Sequence, residues 1–305
     1  MTSRRGGPSP QPVTRPSTVF APGLLDGQVV LISGGGSGLG RAAVLELVAL
    51  GARVAICGRR GDALEETAAL AGGACSTHVC DIREEDQVDR LVDDVLARHG
   101  HIDTLVNNAG GQFLAPAETI SPKGFRTVTR LNLDGTWLMT HAVATRAMIP
   151  VGPDGRPRGG KIVSVTLSPH HGLPGMVHSS AARAGVENMM RELSIEWARF
   201  GIRLNAIAAG QFATDVFMTK YPKPMVDAAA GLVPLGRLGT PEEFAWLVAY
   251  LASPAGDFFS GSVLTIDGAR DNHTGPWPAA GSADVAGNPL AEARQGRRTS
   301  PGTPG

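Results

Sequence analysis

The chain has no excess of either charge: 28 lysines and arginines balance 28 aspartates and glutamates across 305 residues. Charged residues make up only 18% and form no basic stripe, so a nucleic-acid partner is not expected. No uninterrupted apolar run approaches the roughly 18 residues that cross a bilayer, so no membrane span is expected. Cysteine is scarce and odd in number. Cys57, Cys75 and Cys80 form no metal-type pair, no metal site is expected, and the pattern reads as a reducing, cytoplasmic setting. Aromatic residues are few at 5%, and the two tyrosines are Tyr221 and Tyr250. What is abundant is hydrophobic residue, 42%, enough to fill a sizeable core. Residues 1–22 carry Arg4, Arg5 and several prolines without an apolar h-region, and read as a disordered tail rather than a secretory signal. Residues 272–305, rich in Gly, Pro and Ala, read as a loosely held extension that could pack on a neighbouring subunit. Between them, residues 23–271 read as one domain.

That domain opens on the apolar run Val29-Val30-Leu31-Ile32-Ser33, followed by five glycines among the seven residues 34–40 and then by a helix-forming stretch from Arg41. A strand running through a glycine-rich turn into a helix aims the first helical N–H groups, and the positive end of the dipole, at one point. That point suits a phosphate, so Gly34, Ser37, Gly38 and Leu39 are candidate nucleotide contacts; a plain flexible loop is the alternative. The spacing is Gly34-x-x-x-Gly38-x-Gly40, not the commoner G-x-G-x-x-G.

A second strand is expected over residues 53–57, ending at Gly58-Arg59-Arg60. A carboxylate near this position would grip a ribose 2′-hydroxyl. Its absence, with Arg59 and Arg60 following, favours a 2′-phosphate and so NADP(H), unless the two arginines merely solvate a loop. A helix is expected over 63–71, a strand over 76–80, then Asp81-Ile82, where the carboxylate could accept from an adenine amino group or cap the next helix. That helix, 86–99, buries Val88, Leu91, Val92, Val95 and Leu96 on one face. A strand over 102–106 ends in Asn107-Asn108-Ala109-Gly110. The amphipathic stretch 125–149 contains Asn132, a poor helix former that marks a water site or a local kink. Strands over 161–166, 202–208 and 262–267 flank a helix over 181–200. Strands alternating with helices predict a parallel sheet covered on both faces. Residues 211–234 interrupt the alternation and read as a lid at the carboxyl edge.

Ser33-Gly34-x-x-x-Gly38-x-Gly40, Asp81, Asn107-Asn108-Ala109-Gly110, Asn132, and Ala209-Gly210 followed by Thr214 together resemble the short-chain dehydrogenase/reductase family over residues 24–270. The resemblance implies an α/β, single-domain, Rossmann-like doubly wound fold with a seven-stranded parallel sheet, a nicotinamide cofactor, and a dimer or tetramer. It carries nucleotide contacts onto Asn108, Ala109, Gly110, Gly210 and Thr214. It also assigns Asn132 to holding a water against the catalytic helix. Segments 20–28, 110–118 and 178–186 further resemble the trans-2-enoyl-CoA and 2,4-dienoyl-CoA reductase branch, which reduces carbon–carbon double bonds of acyl-CoA thioesters with NADPH. By that likeness Gln112 and Phe113 would face the thioester; the alternative is an ordinary loop with a buried phenylalanine.

One departure concerns the chemistry. The family's Tyr-x-x-x-Lys positions here hold Ser179 and Arg183, Thr166 or Leu167 stands near its usual serine, and Ala209 replaces the usual proline before Gly210. Arginine stays protonated, so it is a poor proton donor but a dependable electrostatic partner. Ser179 and Arg183 share a helix face and could hold a thioester oxygen and the nicotinamide ribose. A proton would come from water or from His178, His170 or His171, though the last two also read as a solvated turn and His178 as a structural residue. Three readings stay open: an enoyl- or dienoyl-CoA reductase, an atypical carbonyl reductase, and a catalytically silent NADP-binding relative.

Overall fold

The computed structural model describes residues 16–168, 170–221 and 223–273. Most of the tail 1–22 and of the extension 272–305 therefore lies outside the described residues. In the described part of the tail, Ser17 Oγ donates to Glu46 Oε1 at 2.6 Å.

Seven strands form one parallel sheet: β1 (Val29–Ser33), β2 (Arg53–Gly58), β3 (Cys75–Val79), β4 (Thr104–Asn107), β5 (Gly160–Leu167), β6 (Ile202–Ala209) and β7 (Val263–Ile266). Their order is β3-β2-β1-β4-β5-β6-β7, and every neighbouring pair is parallel. The order reverses between β1 and β4, which opens a crevice at their carboxyl ends. Strand residues alternate between the two faces. Leu31, Leu105, Ile162 and Leu204 join one core, while Ile32, Val106, Val163 and Ile207 join the other.

The helices that cover these faces are α1 (Gly38–Ala49), α2 (Gly61–Leu70), α3 (Glu85–His99), α4 (Pro122–Thr129), α5 (Gly135–Val143), α6 (Val177–Glu196), α7 (Asp215–Lys220), α8 (Lys223–Ala229) and α9 (Pro241–Ala252). Val44 and Leu47 of α1 and Phe244 and Val248 of α9 pack on the second face, whereas α3, α5 and α6 cover the first. Thr240 begins α9 with a capping box: its hydroxyl accepts from Glu243 N while Glu243 accepts from Thr240 N.

Two expectations shift. The amphipathic stretch expected over 125–149 is not one helix: a π-helical turn, Arg130–Asp134, separates α4 from α5, and a second, Ala144–Met148, follows α5. The helix expected over 181–200 starts at Val177 and ends at Glu196, with Ala198–Phe200 tightened into a 3₁₀ turn. Among the described residues no helix is long and apolar enough to cross a membrane, and no group of three or more His, Cys, Asp or Glu could hold a metal ion.

Candidate active site

The glycine turn lies at the crevice between β1 and β4. Gly34 and Gly38 sit at φ 71° and 55°, the left-handed region that L side chains avoid. The turn is closed on itself: a Cβ on Gly40 would lie 2.2 Å from the Gly34 carbonyl oxygen. Asn108 locks it from the neighbouring strand end, its Nδ2 donating to the carbonyls of Ser33 and Gly34 at 3.1 Å each. Ser33 Oγ accepts from the backbone N–H groups of Asn108 and Ala109 at 3.1 Å each. Arg41 braces the other side, donating to Gly36 O, Thr67 Oγ1 and Glu66.

At the start of α1, Ser37 is the N-cap residue and its side chain makes no capping hydrogen bond. The first N–H groups of α1, at Gly38 and Leu39, are thereby left for an anion. Thr214 stands over them, its Cβ 3.8 Å from where a Gly38 Cβ would be, and its hydroxyl caps α7 by accepting from Phe217 N. Gly210 lies flush against Asp267, where a Cβ would come within 2.5 Å of the Asp267 Cβ. The turn geometry therefore survives the alanine at position 209: Gly210 N still donates to Ile266 O at 3.0 Å.

Arg59 and Arg60 follow β2 and are exposed. Asp81 is occupied in a way the sequence did not signal: Arg83 grips its carboxylate through Nε and Nη2, holding the carboxyl below the usual carboxylate range. The capping alternative is not seen, since α3 begins after Glu84 without a side-chain cap. Ile82 is buried against Gly135.

Further along the carboxyl edge lies a compact polar cluster. Asn132, in the π-helical turn, accepts from Gly111 N at 3.1 Å and donates to Gly111 O at 2.7 Å and Val128 O at 3.0 Å. In place of a regular helix the chain makes a π-helical turn at this residue, and its amide satisfies the Val128 carbonyl that the extra backbone residue leaves free. Arg183, on α6, is half-buried with its Nε shielded from solvent; its Nη1 donates to Val165 O at 2.7 Å while its Nε has no partner. Burial lowers its guanidinium to about 10, which still leaves it a cation at neutral pH. Gly110 admits this cation: a Cβ there would lie 2.6 Å from Arg183 Nη2 and 2.8 Å from Asn132 Oδ1.

One helical turn earlier, Ser179 Oγ donates to Gln112 Oε1 at 3.2 Å. Gln112 Nε2 in turn donates to the Tyr221 hydroxyl at 3.2 Å. Sequence reasoning did not find this contact between Gln112 and Tyr221. His178 is fully buried, its Nδ1 accepting from Ser179 N at 2.8 Å and its Nε2 unpartnered. Phe113 stands edge-on to the His178 ring at 4.3 Å and is 41% exposed, so it is not the buried loop residue of the alternative.

Other candidates turn elsewhere. Thr166 donates to Glu187 at 2.8 Å and Ser168 to Asp267. His170 and His171 lie exposed in a turn, as the alternative had it, but the His170 ring nitrogens also meet Asp271 at 2.5 Å and Glu187 at 3.0 Å. His171 lies 3.8 Å from Asp271.

Residues 34–269 match the family model described as "Enoyl-(Acyl carrier protein) reductase". An uncharacterised oxidoreductase of Caenorhabditis elegans is 37% identical over 84% of this chain and 83% of its own length. A probable 2,4-dienoyl-CoA reductase of Bacillus subtilis is 34% identical over 81% of this chain and 97% of its own length. Among solved structures, a citronellol catabolism dehydrogenase of Pseudomonas aeruginosa is 42% identical with TM-score 0.73, covering 83% of this chain and 98% of that one. The chain belongs to the short-chain dehydrogenase/reductase family. Its members are oxidoreductases that use a nicotinamide dinucleotide, and the residues present fit one. The uncapped start of α1 could hold the pyrophosphate, and Asn108, Ala109 and Gly110 could line the path to the nicotinamide. In this short-chain dehydrogenase/reductase, Ser179 and Arg183 lie one turn apart on α6.

Proposed function

We propose that the chain is an NADPH-dependent oxidoreductase that reduces the carbon–carbon double bond of a 2-enoyl- or 2,4-dienoyl-CoA thioester. The observation that carries this reading is the half-buried Arg183 cation beside Gly110 and Asn132, one helical turn from a serine rather than a phenol. When bound, the reduced nicotinamide supplies a hydride. Addition of a hydride at Cβ pushes negative charge onto the thioester carbonyl oxygen, which needs fixed donors more than an acid. Each such donor is worth roughly 3–4 kcal/mol in a water-poor site. Ser179 and Arg183 would supply them, with Asn132 and Gly111 holding the cluster rigid. A ketone, in contrast, becomes an alkoxide that must take a proton on oxygen. A positioned acid there contributes about 10² to 10⁴ in rate.

Gln112 and Phe113 would border the reacting end of the acyl chain, and His178 would support Ser179 through its hydrogen bond to the Ser179 N–H. Arg59 and Arg60 would meet the 2′-phosphate, and Asp81, already paired with Arg83, would sit at the adenine edge. The name of the Bacillus subtilis relative supports the thioester class. The same reading takes residues 23–271 as the catalytic unit, working in the cytoplasm as a homotetramer or homodimer. The test is NADPH consumption by the purified protein with trans-2-enoyl-CoA substrates from crotonyl- to decenoyl-CoA and with a 2,4-dienoyl-CoA. Product two hydrogens heavier, one per NADPH consumed, is expected. NADPH binding without turnover of either thioester class would contradict it.

A further inference from the structure

We propose that Tyr221, carried on the segment that covers the carboxyl edge of the sheet, is the catalytic acid of this site, delivering the proton to Cα. The assignment rests on the enoyl-thioester reading above.

Tyr221 follows the last residue of α7 and is half-buried. Its hydroxyl oxygen accepts from Gln112 Nε2 at 3.2 Å, and the other end of the same amide accepts from Ser179 Oγ at 3.2 Å. A single side chain thus spans from the helix position that lacks a phenol to a phenol brought in from another element. Because the Tyr221 oxygen is the acceptor in that contact, its own O–H proton remains free for a different acceptor. The Arg183 guanidinium is close enough to the phenol for the two groups to interact electrostatically.

The other groups that could serve are worse placed. Tyr250 is on α9 against Phe259, at 5.8 Å between ring centroids, in the core of the opposite sheet face. His170 has both ring nitrogens engaged by carboxylates. His178 Nδ1 is committed to Ser179 N, and its ring is fully buried behind Phe113.

The bookkeeping of the step is simple. With a hydride from the reduced dinucleotide added at Cβ, the π electrons of the double bond pass to Cα and the carbonyl oxygen. The Tyr221 O–H bond breaks, its proton forms the new Cα–H bond, and the phenolate regains a proton from water. The substrate gains two hydrogens and the dinucleotide is oxidised.

Placement of the acid on this segment also ties chemistry to closure. The Tyr221 ring leans on Phe217 at 5.2 Å, Phe217 N donates to Thr214 Oγ1, and Thr214 stands over Gly38. A continuous chain of contacts thus joins the glycine turn to the phenol.

Tyr221→Phe is the test, because it keeps the ring and its contact with Phe217 while removing only the hydroxyl. With crotonyl-CoA and NADPH, kcat is expected to fall by about 100-fold or more. NADPH affinity, read by fluorescence titration, is expected to stay unchanged. A second readout needs neither cofactor nor turnover. Lys220 is exposed and precedes Tyr221 directly, so trypsin cleavage of the Lys220–Tyr221 bond reports how firmly Gln112 holds the segment. Cleavage several-fold faster in the variant is expected. A variant with wild-type kcat overturns the assignment even if cleavage accelerates, since the phenol would then be a latch and not an acid. If the wild-type chain turns over no enoyl thioester, the functional reading fails and takes this assignment with it. Wild-type turnover with an unaffected Y221F defeats the assignment alone.

Discussion

Arg183 combines two features: a cation set into the site wall, and a solvent-shielded Nε with no hydrogen-bond partner. An unpaired buried donor costs about 1–3 kcal/mol, which a bound acceptor would recover. Arg183→Met, similar in reach but uncharged, is expected to lower kcat/KM for an enoyl thioester by about 10² to 10³ while the far-ultraviolet circular dichroism stays that of the wild type. Gly110→Ala tests the same cluster from the backbone side. Its new methyl would crowd Arg183 Nη2 and Asn132 Oδ1 together, and a shift of about 1 Å in such groups can reduce the rate about 10²-fold. Asn132 was legible in the sequence because an amide inside a helical pattern is a local signal, and the π-helical turn is its structural counterpart. Tyr221 was not, because nothing near it in the chain announces Gln112. The contact exists only once the segment after β6 folds back over the edge of β4. The Arg83 grip on Asp81 was equally silent, as a two-residue charge pair looks like any solvated turn.

Among the elements, the loop after β5 is pinned to the turn that follows β7 and to α6 by His170, which lies between Asp271 and Glu187. Burial would lower the His170 imidazole, but the two carboxylates outweigh it and hold the group above its ordinary range. For Asp271, burial raises the carboxyl, yet the His170 contacts prevail and hold it low. A raised imidazole contributes stability that is full below its unfolded value of about 6.5 and fades as pH climbs through the folded value. A depressed carboxyl contributes above its unfolded value of about 3.9 and loses that contribution as pH falls through the folded one. The clamp is therefore strongest between those limits. His170→Ala is expected to lower unfolding free energy by about 1–2 kcal/mol at pH 6, discounted for partial exposure, and by clearly less at pH 9. Urea unfolding at the two pH values measures it, and an equal loss at both would remove the charged clamp. The strand–helix alternation that frames this loop was readable because each strand is a short apolar run, whereas the clamp joins residues about 100 positions apart.

For the molecule as a whole, the nucleotide end and the reacting end make separate demands. The parallel sheet covered on both faces followed from the alternation of strands and helices, so the fold class was legible before any side chain was placed, whereas the strand order β3-β2-β1-β4-β5-β6-β7 came from the structure. Cofactor preference rests on two exposed arginines, which no core packing constrains. At about 100 Kd of NADPH, binding adds about 2.7 kcal/mol, a rise in Tm of about 5–10 °C for a domain of this size. Arg59→Asp is expected to shrink the rise with NADPH far more than the rise with NADH. Equal losses would remove the 2′-phosphate contact. The central claim is that the site steadies charge on a thioester oxygen rather than protonating an alkoxide, and one competition measures it directly. A 2-enoyl-CoA and the 3-oxoacyl-CoA of the same chain length are mixed with NADPH and enzyme, and both are followed by mass spectrometry. The account predicts that the enoyl thioester is consumed while the ketone persists; consumption of the ketone with the enoyl thioester untouched would contradict it.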